Sequence, residues 1–293
     1  MKNQSSRPVI ATEINQSLIP AAARRRVLAS ALALAFAAIP TISSATHSWS
    51  NYHWARKVSP FTLQLGDNVS SIWDAHLQKT SLEWSTPTAD FTGPKVLETT
   101  VVTGATDPKR CKPTNGMVQV CNSKYGRNGW LGIAQIWVSS SHITQGAVKV
   151  NDTYFNMTAY NTVAWRNLVM CQEVGHTFGL DHQDENFSNA NLGTCMDYTN
   201  DPNSNQHPNQ HDYDELATIY SHVDGSNSYA ASMNVAAMPR DMREGDFSER
   251  SDWGALVRSR NNGLREVYRR DFGGGYQVVT FVIWAEGEGR GRH

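Results

Sequence analysis

The chain has 293 residues, 40% of them hydrophobic, and its 26 Lys and Arg nearly balance its 27 Asp and Glu for a formal net charge of −1. That apolar share supports a packed core, and the even charge balance argues against a protein that works by neutralising phosphates, so no nucleic-acid partner is expected. No internal repeat or long low-complexity tract is present, which excludes solenoid architectures.

Taken in chain order, the first 45 residues differ from the rest. Arg24, Arg25 and Arg26 precede a largely apolar run from Val27 to Ile39, Pro40 breaks it, and Ser43, Ser44 and Ala45 supply small residues. At 1.5 Å per residue this run is too short for a hydrocarbon core of roughly 30 Å, so it reads as a signal peptide cut near Ala45. The mature form is then expected to be secreted or extracytoplasmic, without a membrane span. Removing the segment takes away five basic residues and one acidic one, leaving a net charge of −5.

Pro60 to Leu65 alternates as a strand does, and Val69 to Trp84 follows with helical spacing, Ser70 and Ser71 offering caps. Val96 to Val102, Met117 to Val120, Trp130 to Val138 and Ala147 to Val150 are further predicted strands, making a sheet of about five. Asn161 is the expected N-cap of a helix over Thr162 to Phe178, with Ala164, Leu168, Cys171 and Gly175 along one side. Gln183 to Gln210 is polar loop, and capping-box spacing at Asp212 to Glu215 opens a last helix ending near Val223. Residues 225–249 read as a linker, and residues 250–293 as a small β-rich segment, either an appendage or an addition to the main sheet.

The four cysteines, Cys111, Cys121, Cys171 and Cys195, all lie in the exported part, and an even count there points to two disulfides. Three pairings are open. Cys111 with Cys121 and Cys171 with Cys195 are the expected ones, because each closes a short loop.

Residues 172–182, QEVGHTFGLDH, carry the chemistry. Residues four apart on a helix share a face, so Gln172 and His176 can converge on one metal ion; Gly179 lets the chain turn, and His182 can return to the same point. Glu173 stands beside the first of these positions. Zinc favours imidazole nitrogens and, in catalytic sites, three protein ligands plus a water. Gln172 offers a carboxamide oxygen, which is neutral and a poorer donor than imidazole. His142, His207 and His211 are other conceivable third ligands.

On these residues the chain resembles the metzincin zinc endopeptidases, whose signature is HExxHxxGxxH, and among them the matrixins, whose motif often continues as GHxxGLDH. Gly175, His176 and residues 179–182 match, while Gln172 replaces the first histidine. The resemblance implies an α+β fold in which a twisted mixed sheet lies above an active-site helix, with a C-terminal helix and, here, the small β-rich extension. It implies a catalytic domain over residues 46–224, zinc as cofactor, and a cleft between upper and lower subdomains that takes a protein or peptide substrate. It also implies a methionine turn beneath the metal, for which Met196, 14 residues past His182, is the candidate. Glu173 would be general base and acid, with Gln172, His176 and His182 around the metal. If Cys171 pairs with Cys195, the bond ties the residue before Gln172 to the residue before Met196. Two functional expectations follow: a secreted zinc-dependent metalloendopeptidase, favoured by Glu173, or a protease-fold protein that binds peptides without hydrolysing them, favoured by Gln172. Oligomeric state is not legible.

Overall fold

Strand β1 (His53–Trp54) is short, and β2 (Phe61–Asn68) buries Phe61, Leu63 and Leu65 while exposing Thr62 and Gln64. This is the period-two pattern of a strand with one covered face. In a computed structural model the described residues are 47–186, 189–230, 237–260 and 263–288, so the expected leader, residues 1–45, lies outside them. Residues Ala45–His293 form one unit.

Helix α1 (Ser71–Ser85) follows β2 and buries Trp73, Leu77 and Trp84, with Ser70 at its N-cap but no side-chain cap bond. The chain continues through β3 (Leu97–Thr103), β4 (Val118–Ser123), β5 (Trp130–Ser139) and β6 (His142–Asn151). A short helix α2 (Asp152–Phe155), absent from the sequence reading, turns it toward α3 (Val163–His176). Thr162, not Asn161, caps α3, its hydroxyl accepting from the Trp165 amide; Asn161 instead accepts from the buried Arg166. Helix α4 (Gln210–Ile219) has a capping box built by Asn209 and Asp212, and it stops short of Val223. The box is offset from the expected one because Asn209 reaches two amides.

Residues 225–249, expected as a linker, carry helix α5 (Arg240–Glu244) and bury Met238, Met242 and Phe247. Their polar composition hid this, because three apolar anchors spread over ten residues give no period. Beyond them β7 (Ala255–Arg260), β8 (Arg265–Asp271) and β9 (Tyr276–Trp284) form an antiparallel meander. They join the main sheet: β9 pairs along the whole of β5, from Trp130 with Trp284 to Ser139 with Tyr276.

The described residues thus hold nine strands in one mixed sheet with five α-helices, an α+β arrangement. The strand order is β3-β2-β4-β6-β5-β9-β8-β7, parallel from β3 to β6 and antiparallel from β5 onward, with β1 added beside β6. Both faces of the middle strands are covered. Val279, Phe281 and Ile283 point into the core with Leu168, Val169 and Val174 of α3, while Val278, Val282 and Trp284 point to a second core with Met242, Phe247 and Trp253.

That second core includes a lysine. Lys149 on β6 is 3% exposed and donates to Ser248 Oγ at 2.9 Å. Burial lowers its pKa to about 8, against the pull of Asp246 and Glu249. A pKa below the unfolded value of about 10.4 means that the folded state is penalised where the lysine must be charged, and stability recovers as pH rises from about 8 to about 10. Lys149→Met should therefore raise the unfolding free energy at pH 7 by about 1–3 kcal/mol, less the lost Ser248 bond, with the advantage shrinking above pH 8. Denaturant midpoints of both proteins across pH 6–10 check this, and a pH-independent difference would contradict it.

Candidate metal centre

Helix α3 carries the first part of the site on its inner side. From Arg166 to His176 every residue is buried, and Gly132 on β5 lets the helix come close. A Cβ there would stand 2.6 Å from Val169 Cγ1 and 2.7 Å from Glu173 Oε1, so the Glu173 carboxylate lies directly against the β5 backbone. After His176 the chain turns at Gly179, whose φ is +97°; a side chain there would also strike the Tyr52 carbonyl at 2.1 Å. Only glycine fits both demands. The Trp54 indole donates to the Thr177 carbonyl at 2.9 Å and fixes the helix end, so the tryptophans near the amino end are packing residues.

The turn brings two rings together. His176 Nε2 and His182 Nε2 are 3.2 Å apart, with ring centroids at 4.5 Å and planes at 76°. His176 Nδ1 lies 2.9 Å from the Leu180 carbonyl and so donates to it, leaving Nε2 bare toward His182. Burial, then the neighbouring His182, lowers the His176 pKa well below the usual imidazole range, and burial lowers that of His182 to about 4. Both rings are neutral at pH 7, the form that ligates metal. Two nitrogens on a zinc tetrahedron with Zn–N of 2.0–2.1 Å are about 3.3–3.4 Å apart, close to the separation seen.

Gln172 is fully buried on the same helix, one turn before His176, and neither its Oε1 nor its Nε2 has a hydrogen-bond partner. An unsatisfied buried amide costs about 1–3 kcal/mol, which a cation accepting the Oε1 lone pair would offset. The donor set of Gln172, His176 and His182 therefore fits a metal ion chemically. Glu173 is also fully buried, and neither carboxylate oxygen makes a hydrogen bond of normal geometry. Burial raises its pKa well above the usual carboxylate range, while the Arg265 guanidinium and the Ala134 amide pull the other way.

No protein-family model, curated protein or solved structure matches the chain.

The other expected residues fall as follows. Cys111–Cys121 and Cys171–Cys195 are both bonded, each with Cα atoms 5.9 Å apart. The second bond joins α3 to the Met196 turn, where Gln183 donates to the Met196 carbonyl and Met196 to Thr194 Oγ1. Met196 lies under α3 at Gly175, its Sδ 2.7 Å from where a Cβ would be. Of the alternative ligands, His207 accompanies Glu83 and Lys79, His211 stacks on His47, and His142 faces Asp224; none of the three is brought to the His176–His182 pair by these contacts.

Sequence reading missed the strand residues that close the site, while Tyr198 lies in the turn where the pocket wall was expected. Phe281 of β9 stacks on His176 at 4.3 Å and 6°. The Tyr198 ring meets His182 edge-on at 4.2 Å, with the buried Arg265 of β8 above Tyr198 at 5.4 Å. Arg258 of β7 pairs with Asp181 and Glu185, and Arg260 with Glu185 at 2.6 Å. Although burial favours neutral Asp181, His182 and Arg258 hold its carboxyl well below the usual range. Asp181, His182 and Glu185 cluster as a metal site would, yet both carboxylates are already paired with arginine. No local motif marks Arg258, Arg260, Arg265 and Phe281, which lie on strands some 75–105 residues downstream of the histidines.

Gly175 tests the methionine turn. Glycine to alanine inside a helix normally stabilises by about 1 kcal/mol, but here the new methyl would meet Met196 Sδ and Trp84 Cζ2 at 2.7 and 2.8 Å. Overpacking of this kind costs about 1–3 kcal/mol, so Gly175→Ala should lower the unfolding midpoint. Paired with Met196→Ala, which leaves room for the methyl, it should cost less than the sum of the two single changes. Additive effects would show that the two residues do not touch.

Proposed function

We propose that this protein is an exported zinc-dependent endopeptidase with a metzincin-like arrangement of helix, turn and sheet, in which His176, His182 and Gln172 hold the metal and Glu173 handles the proton. One observation carries the reading: two buried, neutral imidazoles from one helix and the turn after it bring their Nε2 atoms to 3.2 Å, close to the separation of two ligands on one zinc ion, with the buried Glu173 carboxyl on the same helix. The two disulfides agree with export, and no helix of the described residues is long and apolar enough to cross a membrane.

Zinc at this place supplies a Lewis acid for the peptide carbonyl and lowers the pKa of water to about 7. The protein's own groups do the rest. Glu173, next in sequence to Gln172, takes the proton of the attacking water and returns it to the leaving amine; a carboxyl whose pKa lies above the usual range is suited to both tasks. The His176 ring is oriented by its bond to Leu180, and His182 by Tyr198 and Asp181. Gln172 offers a carboxamide oxygen, a poorer donor to zinc than an imidazole nitrogen, so its substitution for histidine weakens the hold on the ion without preventing coordination.

A second reading has its own support. Gln172, Glu173 and His176 are fully buried, with Phe281 stacked on His176 and β9 occupying the edge of β5 where an extended peptide would add a strand. In this reading the protease fold is closed by its own carboxy-terminal meander and does not turn peptides over in this form.

Zinc content by mass spectrometry and hydrolysis of an unfolded protein substrate, measured on the full chain and on His182→Ala, Glu173→Ala, Phe281→Ala and the Glu173→Ala/Phe281→Ala double variant, separate the two. The peptidase reading predicts chelator-sensitive hydrolysis that rises at least tenfold in Phe281→Ala and is abolished by Glu173→Ala in either background. Zinc binding without hydrolysis in any variant supports the closed, non-catalytic reading. Absence of zinc lost on changing His182, together with hydrolysis indifferent to chelator and to Glu173→Ala, contradicts both.

A further inference from the structure

Outside the His176–His182 pair, three more histidines and an aspartate meet on the opposite margin of β6 from β5. His53 belongs to β1, His142 opens β6, and His222 and Asp224 follow α4. His53 Nε2 and His142 Nε2 each lie 3.3 Å from Asp224 Oδ1, His222 Nε2 lies 3.6 Å from the same oxygen, and His222 Nε2 is 3.3 Å from His53 Nε2. The His53 ring stands nearly perpendicular to both others, at 87° to His142 and 80° to His222. We propose that His53, His142 and Asp224 bind a second zinc ion, structural in kind, with the exposed His222 as its fourth ligand.

The separations decide between a proton and a metal. A charge-assisted hydrogen bond from imidazolium to carboxylate is about 2.7–2.9 Å long, and none of the four distances is that short. A zinc tetrahedron with ligand bonds of 2.0–2.1 Å has edges of about 3.3–3.4 Å, which three of the four match. The outer contacts point the same way. His53 Nδ1 donates to the Asn51 carbonyl at 2.7 Å, which turns its Nε2 toward Asp224. Asp224 Oδ2 accepts from the Arg56 amide at 2.9 Å, and the Asp224 amide donates to the Arg56 carbonyl at 2.7 Å, which fixes the carboxylate with Oδ1 turned to the imidazoles. A ring nitrogen and a carboxylate oxygen that face each other need a proton or a metal ion between them, and at 3.3 Å the gap is long for the proton.

His53 and Asp224 side chains are 6% and 9% exposed, whereas His142 and His222 are 34% and 54% exposed. The inner pair is therefore preformed, and the outer pair borders a cavity of about 370 Å³ that gives an ion a route in. His53, His142 and Asp224 supply three positions, and a small rotation of the exposed His222 ring would fill the fourth, the pattern of a structural site rather than a catalytic one. The ion would tie β1 and the segment after α4 to the sheet. Through β1 it would also brace the turn that delivers His182, since Trp49 donates to the Gly179 carbonyl at 2.9 Å and Tyr52 packs over Gly179.

The test uses the full chain, stripped with chelator and dialysed against Zn(II) alone, with bound metal counted by mass spectrometry and thermal unfolding followed in parallel. His142→Ala/His222→Ala, at the two exposed rings, should lose one equivalent of zinc relative to the parent and should no longer gain unfolding temperature on zinc addition. His182→Ala should keep that equivalent, which separates this site from the one proposed for catalysis. His222→Gln, a single change at the most exposed ring, covers the case of a damaged double variant and should weaken zinc binding at least tenfold. Equal zinc content and an equal zinc-induced stabilisation in parent and double variant would overturn the proposal, as would zinc loss confined to His182→Ala or unchanged affinity in His222→Gln.

Discussion

The rest of the site depends on two buried imidazoles held with their Nε2 atoms 3.2 Å apart, a separation that either a shared proton or a shared metal ion satisfies. His176 has already committed its other nitrogen to Leu180, and desolvation keeps both rings from carrying charge at neutral pH. The surrounding fold keeps them in place. Gly179 makes the turn, the Cys171–Cys195 bond fastens α3 to the Met196 turn, and Gly175 leaves room for the methionine sulfur beneath the helix.

The carboxy-terminal meander acts on the same point from above. By pairing along all of β5 it removes a sheet edge that would otherwise template another strand, a gain in solubility as well as in core area. It also brings Phe281, Arg265 and Arg258 over the site. Arg265 is buried with a pKa lowered to about 10, because desolvation outweighs the attraction of Tyr198 and Glu173. Desolvation of these two groups therefore works against the closed state, and closure is held by the pairing of β9 along β5 and the packing of Phe281 on His176.

What the sequence made legible was local. The strand and helix order through β6 and α3, both disulfides, Gly179 and the proximity of His176 to His182 follow from spacing along one stretch of chain. The cap of α3 moved by one residue, since Thr162 and Asn161 are both competent and only the geometry of Arg166 assigns Asn161 elsewhere. The long-range pairing was not legible. Residues 250–293 alternate as strands do, but nothing in their pattern chooses β5 as partner, and the anchors in residues 237–247 are too sparse to announce themselves. The grouping of His53, His142, His222 and Asp224 is of the same kind, since only the return of the chain past α4 brings them together; the His222-x-Asp224 spacing was the one local hint.

The account stands or falls on a metal between His176 and His182. Crystals of the full chain grown with zinc, with diffraction recorded on both sides of the zinc absorption edge, address it directly. The account predicts an anomalous peak about 2.0–2.1 Å from both Nε2 atoms, with Gln172 Oε1 turned toward it. A map with no peak there, and with the two rings still in direct contact, would contradict it.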